Sequence, residues 1–333
     1  MISSSLIYDW LSSVNLEIFK KKSILIIGSG FIAREYCKIF QYLKCQNVII
    51  LGNSEKSSKK LADEYKFKYI FGGFEKKLNQ IEKKDLVIIC TPIHLLLEAT
   101  KLCLSSGQKN ILIEKPGTLY PEELLKINKQ ITDQTVKIGF NRILYPSQLY
   151  LKKLIENEEI TSCHFRFTEW IDTINFEKYQ KDAYNRWGIS NSLHVIGMAF
   201  NLIENPKKIS SYQQGGFDWH PSGSIFTGSG LSKKNIPFSY HADWESLGSW
   251  DIEIFTKGNS YRLKPLEELY VFDTSSKNWK KMETKTIFLN LKPGLGEQVI
   301  MMLSDEESIQ DYLISLSNAS ELIKTTEQIF AYD

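Results

Sequence analysis

The first half of the chain alternates short apolar runs with stretches whose apolar positions recur every three or four residues. Residues 24–27, 47–51, 85–90 and 110–113 are the apolar runs, and 32–43, 57–65 and 95–105 lie between them with helical spacing. Strands covered on both faces read as continuous apolar runs, so this alternation predicts a doubly wound parallel sheet. Residues 136–140 predict one more strand. After about residue 143 the texture changes. Helical patterns at 146–156 and 192–203 alternate with runs at 163–170, 250–256, 260–263 and 269–272 that are rich in aromatic and β-branched residues. They predict an α+β domain on one large, mainly antiparallel open sheet. A last helix is expected over 308–331, and an extra leading helix over 6–19 carries no functional signal. The fold class is therefore α/β, with domains at 1–142 and 143–333. No repeat or low-complexity linker separates them, so a shared interface is expected.

One junction in this pattern carries chemistry. The apolar run from Ser23 enters Gly28-Ser29-Gly30-Phe31-Ile32-Ala33 and continues as a helix. Gly28 permits a tight turn, Gly30 lets the backbone approach a pyrophosphate, and the small Ala33 allows helix to pack on strand. Amides at the helix start then face the phosphates. Strand before and helix after are the context that gives this glycine spacing meaning as a dinucleotide site.

Composition narrows the picture by exclusion. With 333 residues and a formal charge of +2, the chain lacks the basic excess of a nucleic-acid binder, and the lysine clusters at 20–22 and 59–60 are short. Five cysteines (Cys37, Cys45, Cys90, Cys103, Cys163) form no Cys-x-x-Cys pair, which points to a reducing, cytoplasmic compartment. The opening residues have neither a basic leader nor a long apolar core, and no run is long enough to span a membrane. No metal spacing occurs, and Asp218, His220 and Asp243 receive no assignment.

Gly28-Ser-Gly-Phe-Ile-Ala33, Cys90-Thr91-Pro92, Glu114-Lys115-Pro116 and Gly139-Phe-Asn-Arg142 stand in an order and spacing that resembles the glucose-fructose oxidoreductase and inositol dehydrogenase (Gfo/Idh/MocA) family. Leu193-His-Val-Ile196 and Lys264-Pro-Leu-Glu267 are also similar, so the resemblance spans nearly the whole chain. It implies a Rossmann domain followed by an open-sheet domain that forms homodimers or homotetramers. It further implies a cis peptide at Lys115-Pro116, cofactor contacts at Thr91, Pro92, Glu114 and Lys115, and His194 as general acid/base. Read from position alone, Lys115 ends an apolar strand at the carboxyl edge where such sheets bind ligands. Its expected task is to hold a substrate oxygen near the nicotinamide and assist proton transfer. Many family members carry an Asp one helical turn before the histidine. Ser190 stands there, beside Asn191, and a serine cannot supply negative charge.

Cofactor choice turns on the end of the second strand. An NAD site ordinarily has a carboxylate there for the ribose hydroxyls. Here Gly52 occupies the position, followed by Asn53 and Ser54, with Lys56 and Ser57 nearby. Small polar groups and a lysine suit a 2′-phosphate, so NADP(H) is expected over NAD(H). For the substrate, Arg142 either lines a cleft or ties the domains together. Arg186, Trp187, Ser190 and Asn191 precede the helix of His194, and Trp and Arg suit sugar faces and anionic groups. The sequence thus predicts an NADP(H)-dependent oxidoreductase acting on a secondary alcohol or ketone of a sugar, cyclic polyol or nucleotide-linked sugar. The alternatives are a non-catalytic dinucleotide-binding regulator and a reductase of a non-sugar substrate such as a tetrapyrrole.

Overall fold

The computed structural model describes residues 3–332. Its elements fall into two compact units, one of residues 13–141 with 288–320, the other of 3–12, 142–287 and 321–332.

The first unit is built on a parallel sheet of β1 (Ser23–Ile27), β2 (Asn47–Gly52), β3 (Lys68–Phe71), β4 (Leu86–Ile89), β5 (Asn110–Glu114) and β6 (Thr135–Gly139). Their order is β6-β5-β4-β1-β2-β3, so the chain reverses direction across the sheet between β1 and β4. That switch opens a crevice at the carboxyl ends of the strands. Ile24 through Ile27 and Leu86 through Ile89 are buried, as strands between two helical layers must be. A short strand, Ile314–Ser315, pairs antiparallel with β6.

This last pairing departs from the expected layout. The sequence places everything after residue 142 in one domain and a single helix over 308–331, yet 288–320 belongs with the first unit. Three contacts explain it: Ile314 pairs with Ile138, helix Leu295–Met302 is buried along its length, and Phe288 packs on Tyr42. The last helix begins only at Leu316. The leading segment forms helix Ser4–Ser13 and a separate short turn, Leu16–Phe19. Residues 3–12 group with the second unit, where Tyr8 stacks on Tyr150 and Lys153 pairs with Asp9.

The second unit carries β7 (Ile160–Phe167), β8 (Pro206–Gln214), β9 (Ile225–Ser232), β10 (Pro237–Asp243), β11 (Trp250–Thr256), β12 (Ser260–Leu263), β13 (Leu269–Asp273) and β14 (Asn278–Met282). They form one sheet in the order β14-β13-β12-β11-β7-β10-β9-β8, antiparallel except where β10 runs parallel to β7. Strands β8, β9, β10 and β14 were not among those the sequence predicts. Strand β10 alternates cleanly over Phe238, Tyr240 and Ala242, whereas in β8, β9 and β14 the alternation is diluted by glycines, serines and lysines, because one face is not packed in the core. On that face Arg166 pairs with the buried Asp251, and Arg262 with Glu253. The other face packs Phe165, Phe167, Phe226 and Tyr240. Among the described residues, no helix is long and apolar enough to cross a membrane.

Candidate active site

In the first unit the site is made mainly of backbone. Gly28 has φ +125°, and a Cβ there would stand 2.7 Å from the Cys90 carbonyl oxygen, so β1 and β4 approach too closely for any side chain. Its amide donates to Leu51 at 2.9 Å, which locks the turn. Gly30 caps helix Phe31–Tyr42, and nothing lies within 4 Å of where its Cβ would be. Its role is therefore open space above the first amides of the helix. Ser29 and Ile32 are half-buried, and Phe31 is 62% exposed. A glycine turn, uncapped amides and open space fit a dinucleotide diphosphate.

At the end of β2, a Cβ on Gly52 would collide with Ser58 Oγ and come 3.0 Å from Ser29 Oγ. Packing thus explains the missing carboxylate: hydroxyls fill its place. Ser29 and Ser57 are hydrogen-bonded at 2.9 Å, and Ser58 donates to the Ser54 carbonyl at 2.8 Å. Ser54 caps helix Glu55–Tyr65 without using its side chain, and Asn53, Ser54 and Lys56 are exposed.

The third piece lies at β4 and β5. Thr91 and Pro92 lead into helix Ile93–Ser105, with His94 exposed on its first turn. Lys115 is half-buried just beyond β5, and its peptide bond to Pro116 is cis. Beneath it, the Tyr36 hydroxyl donates to Glu114 Oε1 at 2.5 Å while accepting from Gln298. Burial pushes the Glu114 carboxyl up, against the Tyr36 hydrogen bond and the charges of Lys115 and Lys292. Tyr36 and Gln298, absent from the expected site, were detectable only as polar groups in apolar helices.

In the second unit the site is made of side chains. Helix Leu193–Ile203 is preceded by a wide turn, Gly188–Ser192, with π-type hydrogen bonding. His194, half-buried on the first turn of the helix, faces Trp250 at 6.3 Å between ring centroids. Arg142 lies over the same indole at 5.0 Å and reaches Glu267 at 3.8 Å. Trp250 therefore joins two expected residues, though the sequence marked it only as the start of a strand. Glu169 was also missed. It is 6% exposed and accepts from Asn191 Nδ2 at 2.7 Å and Ser192 Oγ at 2.5 Å.

Three expected substrate residues have other partners. Arg186 is buried, ion-paired with Glu327 and 5.0 Å from the Tyr332 ring. Trp187 is buried and stacks on Tyr184 at 5.8 Å. Ser190 is buried and donates to the Ala183 carbonyl at 2.7 Å. All three are thus buried in and around the turn before His194, with the partners just named. His220 is likewise structural, bonded to the Gly223 carbonyl at 2.8 Å and the Tyr332 hydroxyl at 2.6 Å.

Residues 22–141 match the model of the Gfo/Idh/MocA group, described as an oxidoreductase family with an NAD-binding Rossmann fold. This segment is similar to that family over the whole parallel sheet. No curated protein sequence matches the chain. Among solved structures, UDP-N-acetylglucosamine 3-dehydrogenase GnnA from Acidithiobacillus ferrooxidans aligns with a TM-score of 0.71 at 12% identity, covering 93% of this chain and 96% of that one. Levoglucosan dehydrogenase in complex with NADH and levoglucosan aligns at 0.73 and 16% identity, covering 93% and 96%. A putative NADPH-dependent oxidoreductase from Desulfitobacterium hafniense aligns at 0.75 and 14%, covering 93% and 95%. At these identities the structural matches show a shared fold. The Gfo/Idh/MocA match covers the sheet crevice, the glycine turn and Lys115.

Proposed function

We propose that this Gfo/Idh/MocA-type chain is an NADP(H)-dependent oxidoreductase acting on a secondary alcohol or ketone of a sugar, cyclic polyol or nucleotide-linked sugar. The observation that carries the cofactor half is the seat at Gly52, where the Ser29, Ser57 and Ser58 hydroxyls fill the place of a carboxylate. With no carboxylate to repel it, a 2′-phosphate would meet Asn53, Ser54 and Lys56, which are exposed beside this seat. Gly28, Ser29, Gly30, Phe31 and Ile32 hold the diphosphate. Thr91, Pro92, Glu114 and Lys115 stand at the nicotinamide end.

Bound nicotinamide would supply hydride exchange with the carbinol carbon. Lys115 holds the substrate oxygen and His194 exchanges its proton, an imidazole being suited to proton transfer near neutral pH. Arg142 and Asn191 contact the substrate, while Arg186, Trp187 and Ser190 brace the turn behind His194. Sugar substrates draw support from the structurally similar UDP-N-acetylglucosamine 3-dehydrogenase and levoglucosan dehydrogenase. Association through the open face of the eight-stranded sheet gives a homodimer or homotetramer, in the cytoplasm.

The test is NADPH and NADH oxidation by purified protein against keto-sugars, keto-inositols and nucleotide-linked keto-sugars, with Lys115→Met alongside. Turnover lost in the variant supports the reading. NADH binding tenfold tighter than NADPH overturns the cofactor choice. Tight nucleotide binding without turnover on the whole panel favours a non-catalytic binding protein.

A further inference from the structure

The glycine-rich turn contains no cation. From Gly28 to Ile32 every side chain is neutral, and the next basic residue, Arg34, is ion-paired with Glu64. Two phosphate charges would then rest on backbone amides alone. The fold brings a cation to this place from far along the chain. Lys292 Nζ lies 5.4 Å from the ring centroid of Phe31, the first residue of the helix that the turn opens. The same ammonium is close enough to Glu114 to oppose the upward shift of its carboxyl. Phe31 stands beyond β1 and Glu114 ends β5, both at the carboxyl edge of the sheet.

The segment bearing Lys292 is held in place. Asn141 Nδ2 donates to the Pro293 carbonyl at 2.9 Å, and Gly294, at φ +79°, packs on the Asn141 backbone where a side chain would collide. The lysine's four-carbon stem is flexible enough to carry the ammonium from beside the exposed Phe31 ring toward a phosphate oxygen at the helix start.

We propose that Lys292 is the counter-charge of the cofactor diphosphate, completing from the C-terminal part of the chain a seat that the glycine turn leaves without a cation. This rests on the reading that the turn takes a dinucleotide. The experiment measures binding by Lys292→Ala and Lys292→Arg proteins of NADPH, NADH, ADP-ribose, and adenosine 2′-monophosphate, which lacks the diphosphate. In Lys292→Ala, ADP-ribose and whichever dinucleotide the unaltered protein binds should weaken about tenfold with a shallower salt dependence, as loss of a charge-assisted contact requires. Adenosine 2′-monophosphate should bind unchanged, and Lys292→Arg should restore most of the loss. ADP-ribose affinity unchanged in Lys292→Ala overturns the proposal, as does an equal loss on adenosine 2′-monophosphate. Unaltered protein that binds no dinucleotide removes the underlying reading as well, so the two failures are distinguishable.

Discussion

The two sheets present their chemistry in opposite ways. At the carboxyl edge of the parallel sheet the groups suited to a dinucleotide are amides and empty space, set by Gly28 and Gly30. In the antiparallel unit the candidate groups are side chains held by other side chains: His194 against Trp250, Arg142 over the same ring, and Glu169 tying down Asn191 and Ser192. A backbone site tolerates few substitutions at its glycines and many elsewhere. A side-chain site spreads its demands over residues from several strands and turns.

If Lys115 is the chemical group of the parallel edge, Lys115→Met should lower kcat about 10³-fold, within the range of general acid–base contributions, while nucleotide affinity stays within about threefold. Steady-state kinetics and nucleotide titration separate the two effects, and a loss confined to affinity would count against the assignment. Gly28→Ala comes next. A Cβ 2.7 Å from the Cys90 carbonyl at φ +125° should cost about 1–3 kcal/mol and weaken nucleotide binding about ten- to a hundredfold. Denaturant unfolding and titration report it.

The side-chain unit is probed by Glu169→Gln. The Gln oxygen can still accept from Asn191 and its amide can donate to the Ser192 hydroxyl, so what is lost is the charge on both hydrogen bonds, at a cost of about 1–2 kcal/mol. We expect roughly a tenfold drop in kcat with little change in KM, since the turn before His194 loosens while the nucleotide edge is untouched. A change in KM alone would instead place Glu169 in substrate binding.

The smallest effect concerns acid. Burial lowers the His220 imidazole from 6.5 to about 4. Between those values the unfolded chain binds more protons, so the contribution of neutral His220 is complete above pH 6.5 and declines as pH falls toward 4. The slope is at most about 1.4 kcal/mol per pH unit. Urea midpoints of the protein and His220→Gln at pH 7 and 4.5 should converge at the lower pH. Parallel curves would remove His220 from the acid response.

Legibility in the sequence followed the same division. The strands at 24–27, 86–89 and 110–114 were visible because burial on both faces makes their centres continuous apolar runs, and the Gly28 turn because no other residue fits it. The place of Lys115 at a strand end was legible, and the structure puts it directly after β5. Trp250 and Glu169 were not, since neither stands near His194 in sequence and each is brought into this network by strand pairing or by a turn. Arg186 and Trp187 looked like a substrate surface because Arg and Trp suit ligands and buried aromatic packing equally well.

Periodicity and local sterics along the chain were enough for two sheets of different kinds, for a nucleotide turn beyond the first strand, and for the absence of a carboxylate after the second. Those features show as patterns spanning a few residues at a time. The return of 288–320 to the first unit, the filling of the Gly52 position by serine hydroxyls, and the placing of Lys292 over Phe31 depend on contacts between segments far apart in sequence. No local pattern encodes such contacts, because the energy that selects them comes from surfaces that exist only after the chain has packed.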